Sequence, residues 1–442
     1  MTDGSNPLEE SQRQILLELF DQAVASAKPQ ACLPDYLPAP PKSGRVFLFA
    51  GGKAAGAMME VAERIYREDY GLGTDRLLGL AITRNGYGRP TGSLPLIEAG
   101  HPVPNQAGVD ATHRLLELAK TANEEDLVVV LLSGGGSANW IAPVSGVSLA
   151  DKQTLTKTLL RSGADIEEIN ILRKHLSDLK GGRLARAVFP ARLITLAISD
   201  VPGDDPSVIA SGPTVGDTST LADARLILKR FAPDAPPCIH HALLDESNES
   251  PLPDDAIFEH SDYIMVARPA MALEATASRA EEAGYEPIFL GDAVEGEARI
   301  IARAHAKMAK EIARSGRRAA LLSGGELTVT LKGDGRGGPN QEYALAIAMA
   351  LDGHPLISAI AGDTDGTDGG NGSRNDPAGA LVGPSILTRA EAQGLDAASF
   401  LARNDSTGFF EKTGDLVVPG PTFTNVNDFR ALIIDNKGSY SR

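Results

Sequence analysis

Short, wholly apolar runs alternate with longer amphipathic stretches along this chain. RVFLFA (45–50), LLGLAIT (77–83), PLIEAG (95–100), LVVVLL (127–132) and RLITLAISD (192–200) are too short and too β-branched for helices. Such runs, bounded by glycine and polar residues, read as strands buried on both faces. Between them, residues 7–27, 54–68, 107–120, 148–163 and 165–177 carry apolar side chains at helical spacing. Strand and helix alternate from 45 to 232, which predicts an α/β fold with a mainly parallel, doubly wound sheet. The alternation resumes with DYIMVA (262–267), a helix over 269–284, YEPIFLG (285–291), a helix over 295–314 and AALLSGG (319–325). LTVTL (327–331) follows so closely that the two form one bent strand or a tight corner. A helix beginning near Pro339, LISAIAG (356–362) and FRALIID (429–435) complete the pattern.

A chain of 442 residues is too long for one ordinary core. Two domains are expected, 1–250 and 251–442, with a Pro-rich connector from Pro29 to Pro41. The last segment is free to pack back on the first domain.

The strand ends carry the chemistry. LVVVLL runs into Ser133, Gly134, Gly135, Gly136 and Ser137, and AALL runs into Ser323, Gly324, Gly325 and Glu326. Glycines at such ends let backbone N–H groups approach a ligand, at the edge where open α/β sheets bind one. One such turn is equally an ordinary strand-to-helix corner; two in one chain suggest two loops serving one site. RVFLFA likewise runs into Gly51, Gly52 and Lys53 before a helix. A helix N-terminus favours anions, so Lys53 is either a surface residue on a turn or half of an anion site. RKHLSDLKGG (173–182) gathers Arg173, Lys174, His175 and Lys180, as a charged helix end or an anion cluster. GDGRGGPNQE (333–342) puts Arg336 inside a glycine loop with Gly335, Gly337 and Asn340.

Net charge sharpens the choice of ligand. A balance of -16 and a pI near 5.0 exclude a nucleic-acid backbone as partner but not a small anion held by local cations. Two cysteines, Cys32 and Cys238, rule out a disulfide framework, and no zinc spacing is present. The acidic start MTDGSNPLEE is no signal peptide and no apolar run reaches bilayer length, so a cytoplasmic protein without membrane contact is expected.

Loop carboxylates supply the remaining parts. Asp200 ends a strand, Asp204 follows on a Pro/Gly-rich loop, and Asp363 and Asp365 open DTDGTDG (363–369). They suit Mg²⁺, or serve as turn and N-cap residues. Gly333, Gly335 and Gly338 also satisfy GxGxxG, with Asp363 about where a ribose-binding acid would fall. That supports a nicotinamide-dependent enzyme. Glycine cradles, isolated cations and loop acids are instead the parts of phosphoryl transfer. A non-catalytic sensor of a sugar acid or nucleotide is the third class.

GGKAAGAM, LLSGGGSA, NILRKHLSDLKGGRLA, ISDVPGDDPSVIASGPT, LLSGGELTVTLKGDGRGGPNQEYALA and AGDTDGTDG together resemble the glycerate 2-kinase family, from about residue 10 to the end. The resemblance implies a Rossmann-like N-terminal domain, a smaller C-terminal MOFRL domain with a mixed sheet, and an active site in the cleft between them. It implies transfer of the ATP γ-phosphate to the 2-hydroxyl of D-glycerate with Mg²⁺. Relatives in tartrate-utilisation clusters carry the older label hydroxypyruvate reductase, so an NAD(P)H-dependent reductase stays as the alternative. Lys53 and Arg336 match the family's catalytic pair. Gly134, Gly135, Gly136 and Ser137, with Ser133, would cradle substrate or phosphate, joined by Gly324, Gly325, Glu326, Gly335, Gly337 and Asn340. Arg173 and Lys180 would take the glycerate carboxylate. Asp200 would act as base or metal ligand, and Asp204, Asp363 and Asp365 as further Mg²⁺ ligands. A homodimer is compatible with all of this. Asn139-Trp140 departs from the apolar residues expected after SGGGSA, which touches local packing or substrate fit.

Overall fold

In the computed structural model, which describes residues 7–370, 373 and 375–436, the apolar runs are strands. β1 (Val46–Gly51), β2 (Leu77–Arg84), β3 (Leu96–Ala99), β4 (Leu127–Leu132), β5 (Arg192–Ile198) and β6 (Ser261–Ala267) form one sheet in the order β3-β2-β1-β4-β5-β6. β1 and β4 are buried at every position, as parallel strands covered on both faces must be. β1 pairs in parallel with β2 on one side and β4 on the other. The chain therefore winds outward through β3, returns, and winds the other way from β4. The gap between the ends of β1 and β4 is the topological switch point, where doubly wound sheets receive ligands.

This sheet and its helices form a compact unit, Pro29–Val266. DYIMVA, expected to open the second domain, is instead the outer strand β6. The Leu193 N–H donates to the His260 carbonyl at 3.0 Å, at the start of that edge. The apolar alternation runs unbroken past Pro251, so the pattern carries no mark of where one sheet ends.

The second unit comprises residues up to Lys28 and those from Ala267 on. Its strands are β7 (Glu286–Gly291), β8 (Gly296–Glu297), β9 (Ala319–Ser323), β10 (Leu327–Thr328), β11 (Ile357–Asp363), β12 (Gly379–Val382), β13 (Leu416–Val417) and β14 (Asp428–Ile434). Six of them make a mixed sheet, β13-β12-β11-β14-β9-β7, and β8 pairs with β10 in a two-stranded ribbon. AALLS and the start of LTVTL thus lie in different sheets, not in one bent strand. β14, the last strand, pairs antiparallel with β11 and β9 in the sheet interior. Helix Pro339–Leu351 buries all but a few of its residues, because QEYALAIAMAL is apolar nearly all round. No described helix is long and apolar enough to cross a membrane.

Helix Pro7–Ser26 belongs to this second unit. Its buried face carries Leu16, Leu19, Phe20 and Ala23, and the Phe20 ring lies 6.3 Å from that of Phe429 on β14. Gln12, wholly buried, fixes its register. Its amide donates to Asp435 Oδ2 at 2.8 Å and to the Leu356 carbonyl at 3.3 Å, and its Oε1 accepts from Ser358 Oγ at 2.6 Å. Gln12→Ala strands these partners and is expected to lower unfolding free energy by about 2–4 kcal/mol. Urea titration of the full chain checks this; an unshifted midpoint contradicts it.

Candidate active site

At the switch point the loops after β1 and β4 are laced together. The Ser133 N–H donates to the Gly51 carbonyl at 3.0 Å, and the Lys53 N–H to the Gly134 carbonyl at 2.8 Å. Ser133 Oγ accepts the Ala54 N–H at 2.9 Å, at the entry to helix Ala55–Arg64. Gly135 is left-handed (φ 82°), and a Cβ there would lie 3.0 Å from the His101 ring and 3.2 Å from Lys53 Cγ. Lys53, half-buried, thus packs directly against the SGGGS loop. Asn139 and Trp140 are both wholly buried, and the Trp140 ring fills the space a side chain at Gly51 would need. The departure from apolar residues is a packing solution behind the loop.

Ser137 carries the loop onward. Its Oγ lies 2.8 Å from Ser211 Oγ, and its carbonyl accepts from Lys180 Nζ at 2.9 Å. Ala210 (φ 52°), Ser211 (φ 63°) and Gly212 (φ 58°) are consecutively left-handed. Two such non-glycine residues cost roughly 1–2 kcal/mol each.

The cationic cluster divides in two. Lys174, on helix Ile166–His175, is ion-paired at 3.1 Å with buried Asp217. Arg183 Nη1 donates to the carbonyls of Lys174 at 2.6 Å and Lys180 at 3.2 Å, so both have structural partners. Lys180 is 1 % exposed, and among the described residues its Nζ bonds only that Ser137 carbonyl; burial, with the charges of Lys152 and Arg173, pulls its pKa well down. The Arg173 pKa is lowered by burial, and among the described residues its side chain donates only to Asn170 Oδ1, at 3.2 Å. Asp200 lies half-buried just past β5, and Asp204 takes a left-handed backbone (φ 55°) on the loop beyond.

In the second unit Arg336 stands on an exposed loop, ion-paired at 2.6 Å with Glu411. Gly335 and Gly337 flank it, exposed, against Arg403, Asp405 and Ser406. Asn340 lies beneath the loop. Its amide donates to Asp368 Oδ1 at 3.3 Å and Asp428 Oδ1 at 2.6 Å, so its donors serve protein partners. Asp368 accepts four N–H bonds from Asn340 and Gln341, capping helix Pro339–Leu351 from another loop. Burial, then the Asp428 carboxylate, nevertheless pushes Asp368 up to about 7. Arg430, wholly buried, pairs with Asp428 at 3.0 Å and donates to Ser323 Oγ and the Gly324 carbonyl. One network therefore ties the SGGE loop to the loop of Arg336. Glu326 is exposed beyond Gly324 and Gly325. Asp363 and Asp365 accept the N–H groups of Asp365 and Thr367, at 2.9 and 2.8 Å.

The first unit thus assembles Lys53, Ser133, Gly134 to Ser137, Arg173 and Lys180, with Asp200 and Asp204 past the neighbouring strand. The second assembles Gly324, Gly325, Arg336 and Asn340 on one network, with Asp363 directly opposite Asp428 across the β11–β14 pair. Sequence reading missed Lys152, Ser211, Asp428 and Arg430, and the capping role of Asp368. Lys152 had a signal: it shares the buried helical face of Leu155 and Leu159, where a lysine is out of place. The GxGxxG reading loses its context. The loop follows the β8–β10 ribbon, and the next strand, β11, has antiparallel neighbours on both sides. A dinucleotide fingerprint needs a parallel βαβ unit. Among the described residues no three metal-capable side chains gather. Mg²⁺ commonly binds through one or two carboxylates plus substrate phosphates, so it does not need a cluster of three. A cavity of about 630 Å³, lined by Glu9, Arg13, Arg389 and Asp415 among others, involves none of these residues.

The order 3-2-1-4-5-6, with glycine loops and a lysine at its switch point, defines a doubly wound α/β protein joined to a mixed-sheet unit. Residues 15–244 match the model described as Domain of unknown function (DUF4147), and 319–428 match the MOFRL family. The chain is 46% identical to a "Putative hydroxypyruvate reductase" of Agrobacterium vitis, over 96% of this chain and 95% of that one. It is 38% identical to the D-glycerate 2-kinase of Thermotoga maritima, over 95% and 97%. A crystal structure of glycerate kinase from Thermotoga maritima superposes with a TM-score of 0.86 at 37% identity, covering 96% of this chain and all of that one. The chain belongs to the glycerate 2-kinase family.

The two lysines separate stability from function. Lys174→Met leaves Asp217 buried without its cation and should destabilise the fold by about 3 kcal/mol. Lys180→Met strands no carboxylate and should be neutral or stabilising. Denaturant unfolding of both variants tests this; equal losses contradict it.

Proposed function

We propose that this protein is a glycerate 2-kinase that transfers the γ-phosphoryl group of ATP, with Mg²⁺, to the 2-hydroxyl of D-glycerate. One observation carries the reading: Lys53 packs on a glycine loop at a switch point, in a chain 38% identical along nearly its whole length to a D-glycerate 2-kinase. The 2-hydroxyl oxygen bonds to the γ-phosphorus as the bond to the β–γ bridging oxygen breaks, and ADP leaves. The hydroxyl proton passes to a base, for which Asp200 is the candidate. Lys53 and Arg336 neutralise charge on the transferring group. Arg336 is available for this: its exposed pair with Glu411 is worth at most about 1 kcal/mol, so a phosphoryl group displaces the glutamate at little cost.

Backbone N–H groups of Gly134, Gly135, Gly136 and Ser137, with Ser133, cradle phosphate or substrate. Gly324, Gly325 and Glu326 and the loop of Gly335 and Gly337 do the same from the second unit, with Asn340 as a positioning residue beneath. Arg173 and Lys180 hold the carboxylate. Asp204 would hold Mg²⁺, joined by Asp200 where that residue is not the base, with Asp363 and Asp365 as candidate ligands from the second unit; the ion would screen the phosphate oxygens.

Purified protein is expected to form ADP only when D-glycerate, ATP and Mg²⁺ are all present, and to leave NADH unchanged with hydroxypyruvate. Lys53→Ala and Arg336→Ala should each lower kcat by roughly 100-fold or more with unchanged melting temperature. Full turnover in both variants, or NADH oxidation without ATP, would overturn the reading.

A further inference from the structure

Helix Leu149–Ser162 turns Lys152, Leu155 and Leu159 into the protein. The leucines are core. Lys152 is 7 % exposed, and the one hydrogen bond of its Nζ goes to the Leu176 carbonyl at 2.7 Å. That carbonyl follows the last turn of helix Ile166–His175, which carries Arg173. Ser177, the next residue, accepts the Lys180 N–H at 3.3 Å, and the Lys180 side chain reaches back to Ser137. Lys180 thus lies beside the last residue of the SGGGS loop, and Lys152 and Arg173, from two other segments, lie close enough to act on it as like charges. Each ammonium has three donors and uses one. Arg173 bonds only Asn170. None of the three makes an ion pair with a carboxylate among the described residues. A buried cation without a counter-ion costs several kcal/mol, so such a cluster sheds protons until an anion arrives.

We infer that Lys152 joins Arg173 and Lys180 in one oxyanion pocket, and that its occupant is the carboxylate of the hydroxy-acid substrate. This rests on the kinase reading for the identity of the acid, not for the pocket. Arg173 and Arg183 face Lys152 as like charges and Asp178 as the opposing one; burial and the two arginines pull Lys152 down to about 7. An empty pocket near pH 8 therefore holds Lys152 mostly neutral. A bound carboxylate restores the ammonium, so binding takes up a proton above about pH 7.

Isothermal titration of the full chain at about pH 8, in buffers of different ionisation heat, reads this directly. D-Glycerate is expected to bind with net proton uptake; glycerol, which lacks the carboxylate, should not bind. Lys152→Met should weaken D-glycerate at least tenfold and lower the uptake below that of the wild type, while Lys152→Arg should keep binding with the same reduced uptake. ADP should bind both variants as it binds the wild type. D-Glycerate binding to wild type with no proton uptake, or unchanged in a folded Lys152→Met, overturns the pocket. Lys152-dependent uptake on ADP instead assigns the pocket to a phosphate and overturns the carboxylate. Should Lys152→Met fail to fold, the wild-type uptake and the Arg variant still decide. Lys152-dependent D-glycerate binding without any ATP-dependent turnover would refute the kinase reading and leave the pocket standing.

Discussion

Three hydrogen bonds between the ends of β1 and β4 set the geometry on which the first unit depends. Ser133 N–H to Gly51, Lys53 N–H to Gly134, and Ala54 N–H to Ser133 Oγ lock two loops from opposite winding directions of the sheet into one surface. Glycine is required because the loops touch: a side chain at Gly51 runs into Trp140, and one at Gly135 into His101 and Lys53. Behind that surface the Ser137–Ser211 contact and the left-handed Ala210 and Ser211 hold the loop's far end. Folding stability is spent here on placing backbone N–H groups and a lysine, as preorganised sites require.

The two units solve the same electrostatic problem with opposite signs. In the first, Lys152 and Lys180 are buried and Arg173 is half-buried, and none of the three has a carboxylate partner among the described residues, an arrangement that is costly without an anion. In the second, Asp368 and Asp428 are buried together, and Arg430 with the amide of Asn340 balances them. That second cluster is closed on itself. Its product is position: the SGGE strand end and the loop of Arg336 cannot move independently. An incomplete cluster binds; a complete one holds.

Apolar periodicity reveals what buried strands and amphipathic helices reveal. β1, β2, β4 and β5 stand out because strands covered on both faces read as unbroken Val, Ile and Leu. The two-residue β13 and helices such as Ala397–Ala402 lie in a stretch with no periodic signal, since elements so short bury too little to shape the sequence. Helix Pro7–Ser26 was visible as a helix, but its partner was not, because the partners of Gln12 lie more than 340 residues away. The loops of Lys53, SGGGS and Arg336 were legible from residue type. Asp368 lies in DTDGTDG, where its residue type is visible, but its work as a remote helix cap is tertiary and leaves no local trace. Lys152 was legible in principle, as a charge on an apolar helical face.

The central claim is a choice of reacting atom: the hydroxyl at C2 of D-glycerate. Phosphorus NMR of the product formed from ATP and D-glycerate observes that atom. A phosphorus resonance split by a single proton, the one on C2, is the predicted result. Splitting by the two C3 protons, or no new phosphate-ester resonance, would contradict it.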